Sequence, residues 1–441
     1  MSKFIVFGGK KLNGTYPVSG AKNAAPKLLI TSMLSGESCT YHNISRFSDT
    51  FRSIDAITAM GGSVRFSDFN TVEINCKNII NSEIPLEAMS ARQNVLFIGA
   101  TLARMGRVKI YSPKGDAIGK RPLNRHLDGI KALGGIITEK NNRIEIEMHG
   151  RPKSTTYTFE KNTHMGTENL IVASVFNTGK IILKNSAEEP EVDNLIECLN
   201  KMGARIKRVE PRTIEIIGVE PLLHGVEFAS MPDRLESATA LTLSLLTGGG
   251  IKITNSPRKM LEPFVTVLEN IGIALNWEGD TVSVSKINLP LKPTAITTNW
   301  HPGFVTDWQP LMTLLLATAS SGQSIIHERI FENRWNFLSE LSKMGVKYEL
   351  FQPEGFLATH YNFNDAEYDV RASYGAKVNG PTVLQPAEVI SHDVRAGIDM
   401  LLASLATNGK SIIHDPHNHI DRGYENIVEK LTNLGADIKR V

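Results

Sequence analysis

The chain has 441 residues, room for two domains at roughly 100–200 residues each. Its 48 Lys and Arg against 46 Asp and Glu leave a formal charge of +2, so the overall balance draws it neither to nucleic acid nor to an anionic membrane, and its cations must be used locally. Three dispersed cysteines, Cys39, Cys76 and Cys198, exclude a CxxC pair or a zinc spacing and predict buried thiols in a reducing compartment.

The opening stretch Met1–Gly9 is broken by glycine too soon for a secretory signal. No apolar run approaches the ~18 residues that span a bilayer, so the expected location is cytoplasmic. A strand-like run ends at Gly20, and an apolar helix is predicted from about Ala24. One phrase then returns six times: a helical run, then Leu, Met or Ile, then Gly, then a β-rich run. The copies close on Gly61, Gly134, Gly203, Gly272, Gly345 and Gly435, about 70 residues apart and about 90 for the last. A second phrase interleaves with it. Helical runs end on Gly36, Gly106, Gly179, Gly248, Gly322 and Gly409 and turn into β-prone runs such as Val108–Ile110 or Ile181–Leu183. These glycines are predicted to be left-handed C-caps. The runs Val95–Met105 and Leu241–Leu246 are apolar almost all round, which predicts buried helices rather than surface amphipathic ones. The expected fold is α/β: a two-domain inside-out α/β barrel of six repeated βαβαββ-type units, three per domain. The expected boundary lies near Ala229–Pro232, with no Ser/Gly-rich linker.

Several stretches could carry chemistry. Ser112–His126 has two glycines and two prolines and reads as a loop. It holds Lys114, Lys120, Arg121, Arg125 and His126 with a single carboxylate, Asp116. It suits a lid that meets an anion and carries one proton donor; the plainer alternative is that Asp116 only makes a turn. Ser19–Pro26 places Lys22 and Asn23 ahead of a helix start, an anion-binding arrangement, although the Walker A spacing is absent. Arg92 precedes the apolar Val95–Met105 run and must snorkel or meet an anion. Glu189-Pro190-Glu191 could do acid–base work, but orienting nearby arginines is the preferred role. Arg234 beside Glu236 reads equally as a surface pair. In Trp300–Pro310, Thr306 or Asp307 could cap the helix that follows, yet two tryptophans and a histidine are more than a cap needs. Arg334, Arg395 and Arg422 each have an acid within two residues. That suits local pairing, or arginine forks that converge on carboxylate and phosphate.

Taken in order, S-G-A-K-N-A-A-P, G-D-A-I-G-K-R-P, E-P-E, P-D-R-x-E, F-x-T-D-x-Q, F-E-N-R and H-I-D-R-G-Y-E resemble the UDP-N-acetylglucosamine 1-carboxyvinyltransferase family of enolpyruvyl transferases, over the whole chain. The resemblance implies two domains, 23–231 carrying the lid loop 112–126, and 1–22 plus 232–441, with the active site in the interdomain cleft. It implies transfer of enolpyruvyl from phosphoenolpyruvate to the 3'-hydroxyl of UDP-N-acetylglucosamine, in peptidoglycan synthesis, by addition and elimination. Carried over residue by residue, Asp116 is the general acid and Asp307 the general base. Lys22, Arg121 and Arg422 grip the phosphate, with Lys22 and Arg422 assisting catalysis. Arg334 and Arg395 grip the carboxylate, and Asn23 adjoins both substrates. The UDP-sugar falls to Asn23, Arg92, Arg121, Pro122, Leu123, Asn124, Arg125, Asn162, Thr163, His164, Met165, Thr306, Asp307 and Ile330.

Three positions depart from the commonest pattern. Asp116 stands at the lid position usually held by cysteine and matches an aspartate subgroup, which implies insensitivity to the epoxide fosfomycin. Asn124 replaces a frequent Asp and Asn162 a frequent Lys. No cofactor, metal, nucleic acid or membrane partner is expected, since arginines neutralise the substrate anions. Alternatives are the sister enzyme that uses shikimate 3-phosphate, whose first motif is missing here, a non-catalytic nucleotide-sugar-binding homologue, and a nucleic-acid clamp, which the +2 charge disfavours.

Overall fold

The computed structural model describes residues 2–113, 118–120 and 122–441. Packing divides the chain into two units: Gly20–Gly115 with Arg121–Met231, and Met1–Ser19 with Asp116–Lys120 and Pro232–Val441.

In the unit built from 20–231, the helices are α1 (Ala25–Thr31), α2 (Ser48–Ala59), α3 (Phe97–Met105), α4 (Asn124–Ala132), α5 (His164–Ser174) and α6 (Pro190–Lys201). Helices α1, α3 and α5 are buried on nearly every face; α1 packs on α3 and α3 on α5. Helices α2, α4 and α6 each bury one stripe and leave the other face polar. Three sheets surround this core. Their central strands, Ser38–His42, Arg107–Tyr111 and Lys180–Lys184, pair antiparallel on one side. On the other side each meets a short parallel partner: Glu227–Ala229, a bridge at Glu83, and Thr155–Thr158. Period-2 alternation turns Ile181 and Leu183 inward, opposite Ile216 and Ile214.

The unit built from 232–441 repeats the scheme with α7 (Arg234–Thr247), α8 (Arg258–Ile271), α9 (Gln309–Ala319), α10 (Asn336–Lys343), α11 (Val394–Ala406), α12 (His419–Gly423) and α13 (Ile427–Asn433). Here α7, α9 and α11 are the inner helices, and all three pack on one another. Two of the three sheets borrow strands from the start of the chain. Gly14–Pro17 lies parallel to Ile251–Thr254, and Ser2–Gly8 is sandwiched between Gly409–Asp415 and Asp437–Arg440.

The α/β fold of six repeated units with helices inside and sheets outside is therefore the one expected from the sequence. All six glycines of the first phrase have φ between +96° and +109°. The second phrase is less uniform. Gly106 and Gly248 are left-handed caps, and Gly322 and Gly409 have positive φ, but Gly36 and Gly179 do not. Those two are small because space is short: a Cβ at Gly179 would lie 2.2 Å from Ser154 Oγ, and one at Gly36 3.1 Å from Leu222 Cδ1. The apolar run expected to be helical from Val95 becomes an α-helix only at Phe97, after a tighter 3-10 stretch, Arg92–Leu96. The cysteines are free and buried, and burial pushes the Cys198 thiol up to about 12, so it is inert as a nucleophile. Among the described residues no helix is long and apolar enough to cross a membrane.

Candidate active site

The unit built from 232–441 assembles its charged residues around Asp307. This residue lies in a 3-10 turn, Thr306–Trp308, that leads into α9, and neither it nor Thr306 caps a helix by its side chain. Instead, Arg334 Nη2 donates to Asp307 Oδ1 at 3.2 Å and Arg395 Nε at 3.1 Å. Burial alone would raise the Asp307 carboxyl, but Arg395, Arg334 and Arg234 together hold it well below the usual carboxylate range. The acids beside these arginines are otherwise engaged. Asp393 caps α11 by accepting from the Arg395 and Ala396 amides, at 2.8 and 3.1 Å, and so releases the Arg395 guanidinium to reach across to Asp307. Asp421, next to Arg422, pairs with Arg440. Arg395 Nη1 also donates to Tyr424 Oη at 3.0 Å.

Arg234 and Glu236 are not a surface pair, since both are buried. Asp233 caps α7 through the Leu235 and Glu236 amides, at 2.8 and 3.1 Å. Glu236 accepts from Tyr16 Oη at 2.8 Å, the Ser19 amide at 2.9 Å and Lys430 Nζ at 2.6 Å. Arg234 stacks over the Trp308 ring at 5.4 Å. Thr306 and Ile330 are joined by Glu328, a fully buried acid at the end of strand Gly322–His327. It accepts from Thr306 Oγ1 at 2.9 Å and from the Ile330 and Phe331 amides at 2.8 and 3.1 Å. Arg422 sits in α12, whose His419 and Ile420 amides are held by the Asp415 carboxylate at 2.7 and 3.0 Å.

Of the expected lid, Lys114, Asp116 and Arg121 lie outside the described residues. The Ile118–Lys120 piece docks within this same unit: Asn333 donates to the Ile118 carbonyl at 3.2 Å, and Lys120 Nζ pairs with Glu367 at 2.6 Å. The loop ends earlier than expected, because α4 begins at Asn124. His126 is therefore a helix residue and not a lid cation. It is buried, and burial with the nearby Arg92 and Arg125 drives its imidazole down to about 3, so it is neutral.

The unit built from 20–231 holds the remaining candidates. Lys22 Nζ lies 3.5 Å from the buried Asp49, which also takes Arg52 at 2.8 Å. The Gln93 amide ties down the Lys22 carbonyl and Asn23 Oδ1, at 3.1 and 3.2 Å. Arg92 and Arg125 both face His126, whose Nδ1 lies 3.1 Å from Asn169 Nδ2. Arg125 Nη1 donates to the Asn162 carbonyl at 3.2 Å, and Thr163 caps α5 by accepting from the Gly166 amide at 3.2 Å. Pro122 and Leu123 lead into α4, and Met165 packs against the hydrophobic core. Glu189 faces His164, and Glu188 takes Arg212 at 3.3 Å.

Sequence reasoning missed Glu328, Asp49 and the buried Lys27–Glu168 pair of α1 and α5, which meets the expected site residue His164. The signal was present: Lys27 and Glu168 are the only Lys, Arg, Asp or Glu of α1 and α5, two helices buried along most of their length. Among the described residues, no three His, Cys, Asp or Glu side chains group as a metal site.

The chain matches a known family over almost its whole length. Residues 6–431 match the family model described as EPSP synthase (3-phosphoshikimate 1-carboxyvinyltransferase), and the chain belongs to this family of enolpyruvyl transferases. Its curated relatives include the UDP-N-acetylglucosamine 1-carboxyvinyltransferases of Koribacter versatilis, 36% identical over 100% of this chain and 97% of theirs. That of Acinetobacter baylyi is 35% identical over 100% of both. Among solved structures, the enolpyruvyl transferase NikO from Streptomyces tendae shares the fold with a TM-score of 0.86 at 21% identity, covering 100% of this chain and 99% of that one. An EPSP synthase from Acinetobacter baumannii shares it with a TM-score of 0.72 at 15% identity, covering 100% of each.

Proposed function

We propose that the protein transfers the enolpyruvyl group of phosphoenolpyruvate to the 3'-hydroxyl of UDP-N-acetylglucosamine and releases phosphate, the first committed step of peptidoglycan synthesis. The full-length likeness to relatives of that name supports the substrate pair. The observation that carries the chemistry is the partly exposed Asp307 carboxylate held by the buried Arg334 and Arg395.

In this reading Asp116 protonates the CH2 carbon of phosphoenolpyruvate and leaves the neighbouring carbon cationic. The sugar hydroxyl attacks that carbon while Asp307 takes its proton. A methyl proton then leaves, the carbon–oxygen bond to phosphate breaks, and the double bond is restored. Lys22, Arg121 and Arg422 take up the phosphate charge. Arg334 and Arg395 hold the substrate carboxylate. The UDP-sugar is held by Asn23, Arg92, Pro122–Arg125, Asn162–Met165, Thr306 and Ile330.

Asp307 is a poor base while two guanidiniums face it. The phosphoenolpyruvate carboxylate competes for those arginines and returns basicity to Asp307. Activation of the base is thereby tied to occupancy by the second substrate. The test is phosphate release with phosphoenolpyruvate and either UDP-N-acetylglucosamine or shikimate 3-phosphate as acceptor. Release with the nucleotide sugar alone is expected; release only with shikimate 3-phosphate, or with neither, overturns the reading.

A further inference from the structure

Helices α1 and α5 are inner helices, and each carries a charge where only apolar groups would be expected. Lys27 on α1 and Glu168 on α5 are buried to within 2% of completely. Lys27 Nζ lies 2.8 Å from Glu168 Oε1 and 2.6 Å from Oε2. A buried pair of this kind recovers its desolvation cost poorly, and apolar residues of similar size would serve stability as well or better. Its presence therefore calls for a role other than stability. His164 supplies one. Its Nε2 sits 3.1 Å from Lys27 Nζ and 3.2 Å from Glu168 Oε1, so the inner edge of the ring is fixed by the pair. The side chain is 23% exposed, and the pair leaves Nδ1 unused. The Lys27–Glu168 charges cancel. Burial would lower the imidazole, but Glu168 outweighs it against Lys27 and holds His164 above its usual range. Glu189 adds to this from the start of α6.

We propose that the buried Lys27–Glu168 pair is a positioning element that fixes the His164 ring as a contact to the diphosphate of the UDP-sugar. The inference rests on the UDP-sugar reading above and adds to it which residues set the grip on the anion. The pair touches no substrate and acts only through His164.

The test compares binding of UDP, uridine and UDP-N-acetylglucosamine to the wild-type chain, His164→Ala, and the double variant Lys27→Leu/Glu168→Leu. The double variant removes both charges together and so avoids the unpaired buried charge that would unfold either single variant. The expected result is that His164→Ala and the double variant each weaken UDP and UDP-N-acetylglucosamine by roughly tenfold or more and leave uridine unchanged. Combining all three substitutions should add little, because the pair and the histidine act as one unit. Equal weakening of UDP and uridine would show a merely structural role and overturn the proposal. Unchanged UDP affinity in a folded double variant would overturn it as well, while leaving the enzymatic reading intact. A wild-type chain that binds neither UDP nor UDP-N-acetylglucosamine would overturn both.

Discussion

Asp307 shows how a residue's neighbours decide its chemistry. Thr-Asp ahead of an apolar helix looks like a cap, and only the arrival of Arg334 and Arg395 from other segments makes it a clamped anion. Asp307→Asn keeps the shape and cannot accept a proton, so turnover should fall by about 10²–10⁴-fold while affinity for UDP stays close to wild type. Stopped-flow phosphate release and calorimetric titration would check this, and near-normal turnover would refute the base assignment. Asp116 leads to a second expectation. A carboxylate is a weak nucleophile toward an epoxide, so the wild-type enzyme should stay active in fosfomycin, whereas Asp116→Cys should keep activity and gain time-dependent inactivation with an added mass. An adduct on the wild-type chain, or full activity in Asp116→Ala, would count against the lid acid. His126 bears on stability instead. Its folded pKa is depressed from 6.5 to about 3, so between those values the unfolded chain binds the extra proton. Stability should therefore be complete above about pH 6.5 and fall by up to ~1.4 kcal/mol per pH unit as pH drops toward 3. Urea midpoints measured across that range should show a shallower acid slope in His126→Asn; equal slopes would show that His126 does not titrate in this way.

At the scale of the element, the repeat depends on a turn that only glycine makes cheaply. At Gly435, where φ is +96°, an added Cβ would have no atom within 4 Å, so Gly435→Ala should cost only backbone strain, about 1–2 kcal/mol. Gly179→Ala, where the backbone is ordinary and the space is short, should instead act through the displaced Ser154 side chain. Thermal unfolding of the pair, with a crystal structure of the second, would separate the two causes. The inner helices carry the other element-scale expectation. Leu401 on α11 is completely buried, and Leu401→Ala should cost about 2–5 kcal/mol through lost burial and the cavity left behind.

For the molecule as a whole, the start of the chain completes sheets whose other strands come from its second half. Ser2–Gly8 is an internal strand, flanked on both sides, and Gly14–Pro17 closes the edge beside Ile251–Thr254. Removing residues 2–17 would expose the ladder edges of Gly409–Asp415 and Asp437–Arg440. Hydrogen exchange on such a truncated chain should show protection lost across the three sheets of the 232–441 unit and largely kept in the 20–231 unit. Uniform protection would mean the opening strands are dispensable.

The repeat, the α/β class, the buried helices and the ordered motifs were legible in the sequence because they depend on periodicity and on glycine, which are local properties. The same local reading went wrong where two causes leave one mark. Glycine at 36 and 179 reads like a C-cap but answers to a neighbouring side chain, Glu236 reads like a surface partner of Arg234 but is buried against Tyr16 and Lys430, and Asp393 reads like a partner of Arg395 but caps α11. His126 reads like a lid cation until burial and two arginines neutralise it. The grip on Asp307, the Glu328 clasp and the Lys27–Glu168–His164 group join residues up to 141 positions apart. Only tertiary structure could decide them, because the charge state of an ionisable group is set by the solvent it loses and the charges it gains in space.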